Sequence, residues 1–245
     1  MADVDIIMLA YSKTAKEYNM TKNAIKSIRD AEKDHNIEII VVETNTNLVK
    51  EAFTDENSPP GNKANKRLFN DKCLVLFPGG EFSYNKSLNF AYPYTTGDYL
   101  LIMNNDIIAY PGFITELIKG LEQADTVSSK CPVWGSHTMK LENEYGFDIG
   151  KTFCGWCIGM KSSLFHEIPF DILFPKDLKF WGQDDFAAAV LKTHDKRHML
   201  CVKSLVKHLL SQSHSLLVDK QEMTWGQVEY YRKKIQEYKE RKASN

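Results

Sequence analysis

An apolar run at residues 99 to 103 is followed at once by Asn104, Asn105 and Asp106. Polar side chains gathered where a strand ends suit a hard divalent cation, Mg2+ or Mn2+, which takes oxygen ligands and shares them with substrate phosphates. Asp106 is therefore a candidate metal ligand; a plain turn is the other reading of Asn-Asn-Asp. A second acidic point is the pair Asp184 and Asp185 at the head of a helical pattern, where carboxylates also serve as helix caps. Cys154 and Cys157 have the spacing of a zinc or redox pair, but no second CxxC accompanies them, so metal or redox use of these thiols is not expected. Gly79-Gly80 is either a phosphate loop or an ordinary turn.

The elements that must position these residues follow from periodicity. Residues 4 to 10 (VDIIMLA) predict a strand, and Ala24, Ile25, Ile28 and Ala31 mark the buried side of a helix after it. Ile37 to Val42 predict a second strand parallel to the first, so the chain opens with a βαβ unit. Two prolines, a glycine and many polar groups make residues 54 to 67 a long surface loop. Then come a strand at 73 to 77, a helix at 83 to 92 and a strand at 99 to 103. Pro111 is expected in the first turn of a helix that buries Phe113, Ile114, Leu117, Ile118 and Leu121. Short strands and turns are expected from 126 to 183, then a helix at 185 to 193, a strand at 198 to 206 and a charged C-terminal helix from about 220. This order predicts an α/β fold with a mostly parallel, doubly wound sheet, and ligands in such sheets bind beyond the carboxyl ends of the strands.

The stretch from Tyr84 to Asp106, with Asn85, Gly97-Asp98, an apolar strand and a terminal aspartate, resembles the nucleotide-sugar half of glycosyltransferase family 2, whose members have the Rossmann-like GT-A fold. The resemblance implies that Asp106 binds the metal, that Asn105 approaches the ribose, and that Asn104 stands where aspartate is common. It places a uracil-type base between Tyr11, Ser12 and Thr14 on one side and Glu43 on the other, with Asn85 also on the donor. Residues 154 to 171 resemble the segment lining the sugar and acceptor site, which makes Gly155 and Trp156 substrate contacts. WGQDDF at 181 to 186 resembles the acidic motif that supplies the base. Asp184 takes that role and Asp185 is the alternative, since the register is ambiguous. VKHLLSQSH at 206 to 214 resembles the closing histidine segment, with His208 as the better match to complete the metal shell and His214 second; a lone histidine is otherwise more often structural. The implied division is a nucleotide-sugar part at 1–110, an acceptor-binding and catalytic part at 111–218, and a C-terminal helix at 219–245.

The expected activity is thus metal-dependent, inverting transfer of a sugar from a nucleotide diphosphate, UDP first, to a hydroxyl on a glycan, a protein or another soluble acceptor. A hydroxylated DNA base is an alternative acceptor. A nucleotide-sugar-binding module without turnover and a nucleotidyltransferase are the competing classes. With 31 basic and 32 acidic residues in 245, no global field recruits nucleic acid or an anionic membrane. Lys192, Lys196, Arg197, Lys203 and Lys207, with 232–234 and 239–242, could still form an anionic-acceptor patch or a solvated charged face. No apolar stretch approaches the roughly 20 residues of a membrane span, no leader is recognised, and the odd cysteine count of five suits a reducing compartment. The expected location is the cytoplasm.

Overall fold

The computed structural model describes residues 1–45, 69, 73–79, 82–179, 182–209 and 220–243. The loop expected at 54 to 67, Gly80 and His214 lie outside the described residues. The chain opens with strand β1 (Asp3–Ala10), helix α1 (Ala15–Ala31) and strand β2 (Asn36–Glu43). Beyond Asp3, every residue of β1 is buried, as a strand covered on both faces of a parallel sheet requires. Alternate side chains serve opposite layers. Val4, Ile6 and Met8 join a core that includes Ile25 and Ile28 of α1, whereas Ile7 and Leu9 join the core on the other face.

After β3 (Leu74–Leu76) come α2 (Tyr84–Ala91), a short 3-10 turn and β4 (Tyr99–Asn104). Strand β5 (Ile107–Ala109) and helix α3 (Phe113–Leu121) follow. Pro111 lies outside α3, two residues before its first helical residue Phe113 rather than in its first turn. Gly112, at φ 76°, is the cap that starts the helix, and this left-handed conformation separates the proline from the helical run. The remainder comprises β6 (Thr126–Lys130), β7 (Glu144–Tyr145), β8 (Cys157–Lys161), the single-turn helices α4 (Leu164–Glu167) and α5 (Phe170–Leu173), α6 (Gln183–Thr193), β9 (His198–His208) and α7 (Lys220–Ala243).

The sheet order is β3-β2-β1-β4-β8-β6-β9-β5, with β7 paired to β9. Strands β3, β2, β1 and β4 are mutually parallel, β8 runs antiparallel to β4, and β6 and β9 are parallel to each other. Pairing of Met103 with Cys157 and of Ile107 with His208 brings five chain positions to one edge of the sheet. These are the ends of β1, β2, β4 and β9 and the start of β8. The topology therefore gathers Ser12, Glu43, Asp106, Trp156 and His208 before any side-chain contact is considered.

Candidate active site

Asp106 sits in the bend between β4 and β5 and is 3% exposed. Its Oδ1 lies 3.1 Å from His208 Nε2, because the β5–β9 register sets Ile107 opposite the histidine. Asn104 Nδ2 approaches the same ring nitrogen at 3.2 Å. The imidazole is stacked on Trp156, with centroids 5.3 Å apart and planes at 19°. Its Nδ1 is buried without a hydrogen-bond partner among the described residues. One carboxylate and one imidazole nitrogen facing each other fit a divalent cation: two ligands about 2.1 Å from an octahedral centre and at right angles stand about 3 Å apart. Among the described residues no group of three or more His, Cys, Asp or Glu could hold a metal. The remaining positions would come from substrate oxygens and water, as is usual for Mg2+ beside phosphates.

The acidic pair splits at the start of α6. Gly182, at φ 76°, caps the helix. Asp184 receives the backbone N–H of Gly155, and burial followed by the like charge of Asp185 pushes its carboxyl up to about 6, against that hydrogen bond. Position 155 must be glycine for this approach, since a Cβ there would lie 2.7 Å from Asp184 Cγ and nearer still to both oxygens. Asp185, about 100° further round the helix, instead lines a groove with Ala188, Ala189 and Lys192. Its carboxyl is also raised by burial, and Arg232 of α7 opposes the rise.

Tyr84, the first residue of α2, lies within the electrostatic reach of both Asp184 and Asp106. Its phenol is pushed well above the usual range by burial, then by the charge of Asp184, then by that of Asp106. Its backbone N–H donates to Lys179 O at 2.7 Å. Asp106 and Asp184 therefore both bear on one tyrosine. In the sequence Tyr84 stands only as the start of a motif, since no spacing links position 84 to position 184.

At the end of β2, on the same edge of the sheet, Glu43 is 1% exposed. It accepts hydrogen bonds from Ser12 N (3.1 Å), Ser12 Oγ (2.7 Å) and Asn45 N (2.8 Å). Burial raises its carboxyl and these donors oppose the rise. Tyr11 stacks near Phe82, with centroids 6.0 Å apart at 18°, and Lys13 Nζ lies 4.7 Å from the Tyr11 ring. Not every expected donor contact faces this space. Thr14 caps α1, exchanging a capping box with Glu17 (Thr14 Oγ1 to Glu17 Oε2, 2.6 Å). Asn105 Nδ2 donates to Thr21 Oγ1 of α1 at 3.0 Å, and Asn85 Nδ2 donates to Pro175 O at 2.9 Å. Trp156 is 6% exposed and its indole N–H donates to Ser129 O at 3.3 Å, so it packs beneath His208 rather than offering a face to a sugar.

The family model described as glycosyl transferase family 2 matches residues 5–174. The chain belongs to glycosyl transferase family 2. Its fold is of the GT-A type, with a mostly parallel sheet flanked by helices. Among solved structures it is similar to the mannosyltransferase PcManGT from Pyrobaculum calidifontis, determined in complex with GDP-Man and Mn2+; identity is 16%, the TM-score 0.55, and the match covers 85% of this chain. The chain spans 57% of the length of that mannosyltransferase. No curated protein matches the sequence. Among the described residues, no helix of this family member is long and apolar enough to cross a membrane.

Proposed function

We propose that the protein transfers a sugar, with inversion, from a nucleoside diphosphate donor to a hydroxyl acceptor, and that Asp106 and His208 hold the divalent cation the reaction needs. The observation that carries this reading is the short path from Asp184, held by the Gly155 N–H, through the neighbouring Trp156 to the stacked His208 and on to Asp106. A donor lying between the two acids would have its leaving group on one side and its attacker on the other. Held there, Mn2+ or Mg2+ would neutralise charge developing on the diphosphate. Asp184 is the base: with its carboxyl near 6 it is largely ionised at neutral pH yet basic enough to take a proton. The acceptor oxygen attacks the anomeric carbon as its proton passes to Asp184, and the bond to the diphosphate oxygen breaks with its electron pair leaving on the diphosphate. Gly155 gives the carboxylate room and a backbone donor, and Tyr84 closes the space between the two acids.

Tyr11 would supply a face for the base and Glu43, held by Ser12 and Asn45, an acceptor for a ring N–H, which suits uracil first and guanine as the alternative. Residues 1–110 would bind the donor, residues 111–218 the acceptor. All five cysteines are buried and outside disulfides, which supports a reducing, cytoplasmic setting. The test is release of nucleoside diphosphate from a panel of UDP- and GDP-sugars, with Mn2+ and with chelator. Metal-dependent release from at least one donor is expected; no release from any would refute the reading.

A further inference from the structure

Between α6, α7 and the segment at residues 147–149 runs a groove of about 400 Å3, within the range that accommodates a small molecule. Positions 185, 188, 189 and 192 share one face of α6, so the groove follows that helix lengthwise. Phe147, Ala188, Ala189 and Ile235 give it an apolar lining. The charges are ordered along it: Asp185 in the first turn of α6, Lys192 in the last, with Lys239 of α7 also lining the groove. Lys192 Nζ lies 5.4 Å from the Phe147 ring centroid. Among the described residues the nearby ion pairs engage Lys196, Lys233 and Lys234 and leave Lys192 and Lys239 out.

We propose that this groove is the acceptor subsite and that it takes a small phosphorylated hydroxyl compound. The phosphate rests between Lys192 and Lys239, an apolar ring face lies over Ala188, Ala189 and Phe147, and the reacting hydroxyl passes Asp185 to reach Asp184. The orientation is fixed because Asp185 repels an anion at the catalytic end. Two lysines act as point charges, which suits a phosphate better than the planar fork a carboxylate prefers. Seven residues of helix separate Asp185 from Lys192, so phosphate and reacting oxygen stand about 10 Å apart. The direction of the bound acceptor rests on the assignment of Asp184 as the base.

The groove is tested by methyl NMR of Ala188, Ala189 and Ile235 during titration with phenyl phosphate, benzyl alcohol or inorganic phosphate. Phenyl phosphate is expected to shift these methyls saturably, with an affinity at least tenfold tighter than either fragment. The Lys192→Glu, Lys239→Glu double variant, altered only at exposed positions, should lose that preference while keeping its methyl spectrum. Equal binding of phenyl phosphate and benzyl alcohol, equal binding of inorganic phosphate, a preference retained by the double variant, or shifts confined to the Asp106 side would each overturn the proposal. Donor hydrolysis by the unaltered protein, measured without these probes, tests the base and metal assignment separately. Its absence would refute the proposed reaction without touching the groove result.

Discussion

Gly155→Ala probes the contact between the β8 entry and the acidic helix. The new Cβ would stand 2.7 Å from Asp184 Cγ, and restoring ordinary van der Waals separation from the carboxylate requires a displacement of about 1 Å. A misplacement of that size costs about 100-fold in rate, or roughly 2.7 kcal/mol of transition-state stabilisation. The proposed donor contacts Tyr11 and Glu43 lie at the ends of β1 and β2 and are untouched. The expected result in steady-state donor turnover is therefore a kcat about 100-fold lower with donor affinity, measured by calorimetry, unchanged. The acidic limb of the pH profile should also move to higher pH, because the Gly155 N–H that favours the ionised form no longer reaches the carboxylate. Gly135→Ala is the control, since a Cβ there meets nothing within 4 Å. A Gly155→Ala protein that folds, turns over at the normal rate and keeps its pH limb would refute the placement of Asp184 against residue 155.

Asp184→Asn should lower turnover by about 1,000-fold with donor binding intact, within the span general-base catalysis provides, whereas Asp185→Asn should change donor hydrolysis only a few-fold; equal losses would show that the pair acts as a unit. The same Asp184→Asn change should stabilise the fold above pH 6. The native carboxyl is raised from 3.8 to about 6, so the penalty for its ionised form is absent below about pH 4, grows between the two values and is complete above them. Thermal melts should show a gain of about 1 to 3 kcal/mol at pH 8 that vanishes near pH 3.5, and a gain persisting at low pH would contradict this origin. Trp156→Leu should weaken Mn2+ binding, read by EPR titration, by about tenfold or more, as loss of a ligand-orienting neighbour does, and Trp156→Phe should restore most of it. Indifference of Mn2+ affinity to both changes would remove Trp156 from the metal site.

The apolar runs of β1, β2 and β4 made the donor half of the sheet legible, because strands buried on both faces leave unbroken Val, Ile, Leu and Met in the sequence. The position of Asp106 just past β4 was legible for the same reason, since it stands where such a run stops. Other roles depend on contacts that no local pattern encodes. Whether Asp184 or Asp185 faces the pocket is set by the phase of α6 against Gly155. Tyr84 meets Asp184 only through the packing of α2 on the far half of the chain. Helices α4 and α5 are four residues each, too short to show a period. Thr14 is different: its spacing to Glu17 is that of a capping box, a signal present in the sequence that marks it as a helix cap. Trp156 is a candidate substrate contact only through the resemblance of residues 154 to 171 to a substrate-lining segment; in the fold it is buried and stacked on His208.

The proposed mechanism requires a cation at Asp106 and His208 close to the acid at position 184. Paramagnetic broadening of amide NMR signals by Mn2+, in the presence of a nucleoside diphosphate, measures this directly. The Gly155 amide, bonded to Asp184, should broaden strongly while the Gly97 amide, at the opposite end of β4, stays sharp, and the Asp106→Ala protein should lose the effect. A sharp Gly155 signal at saturating Mn2+ would contradict that proximity and the mechanism built on it.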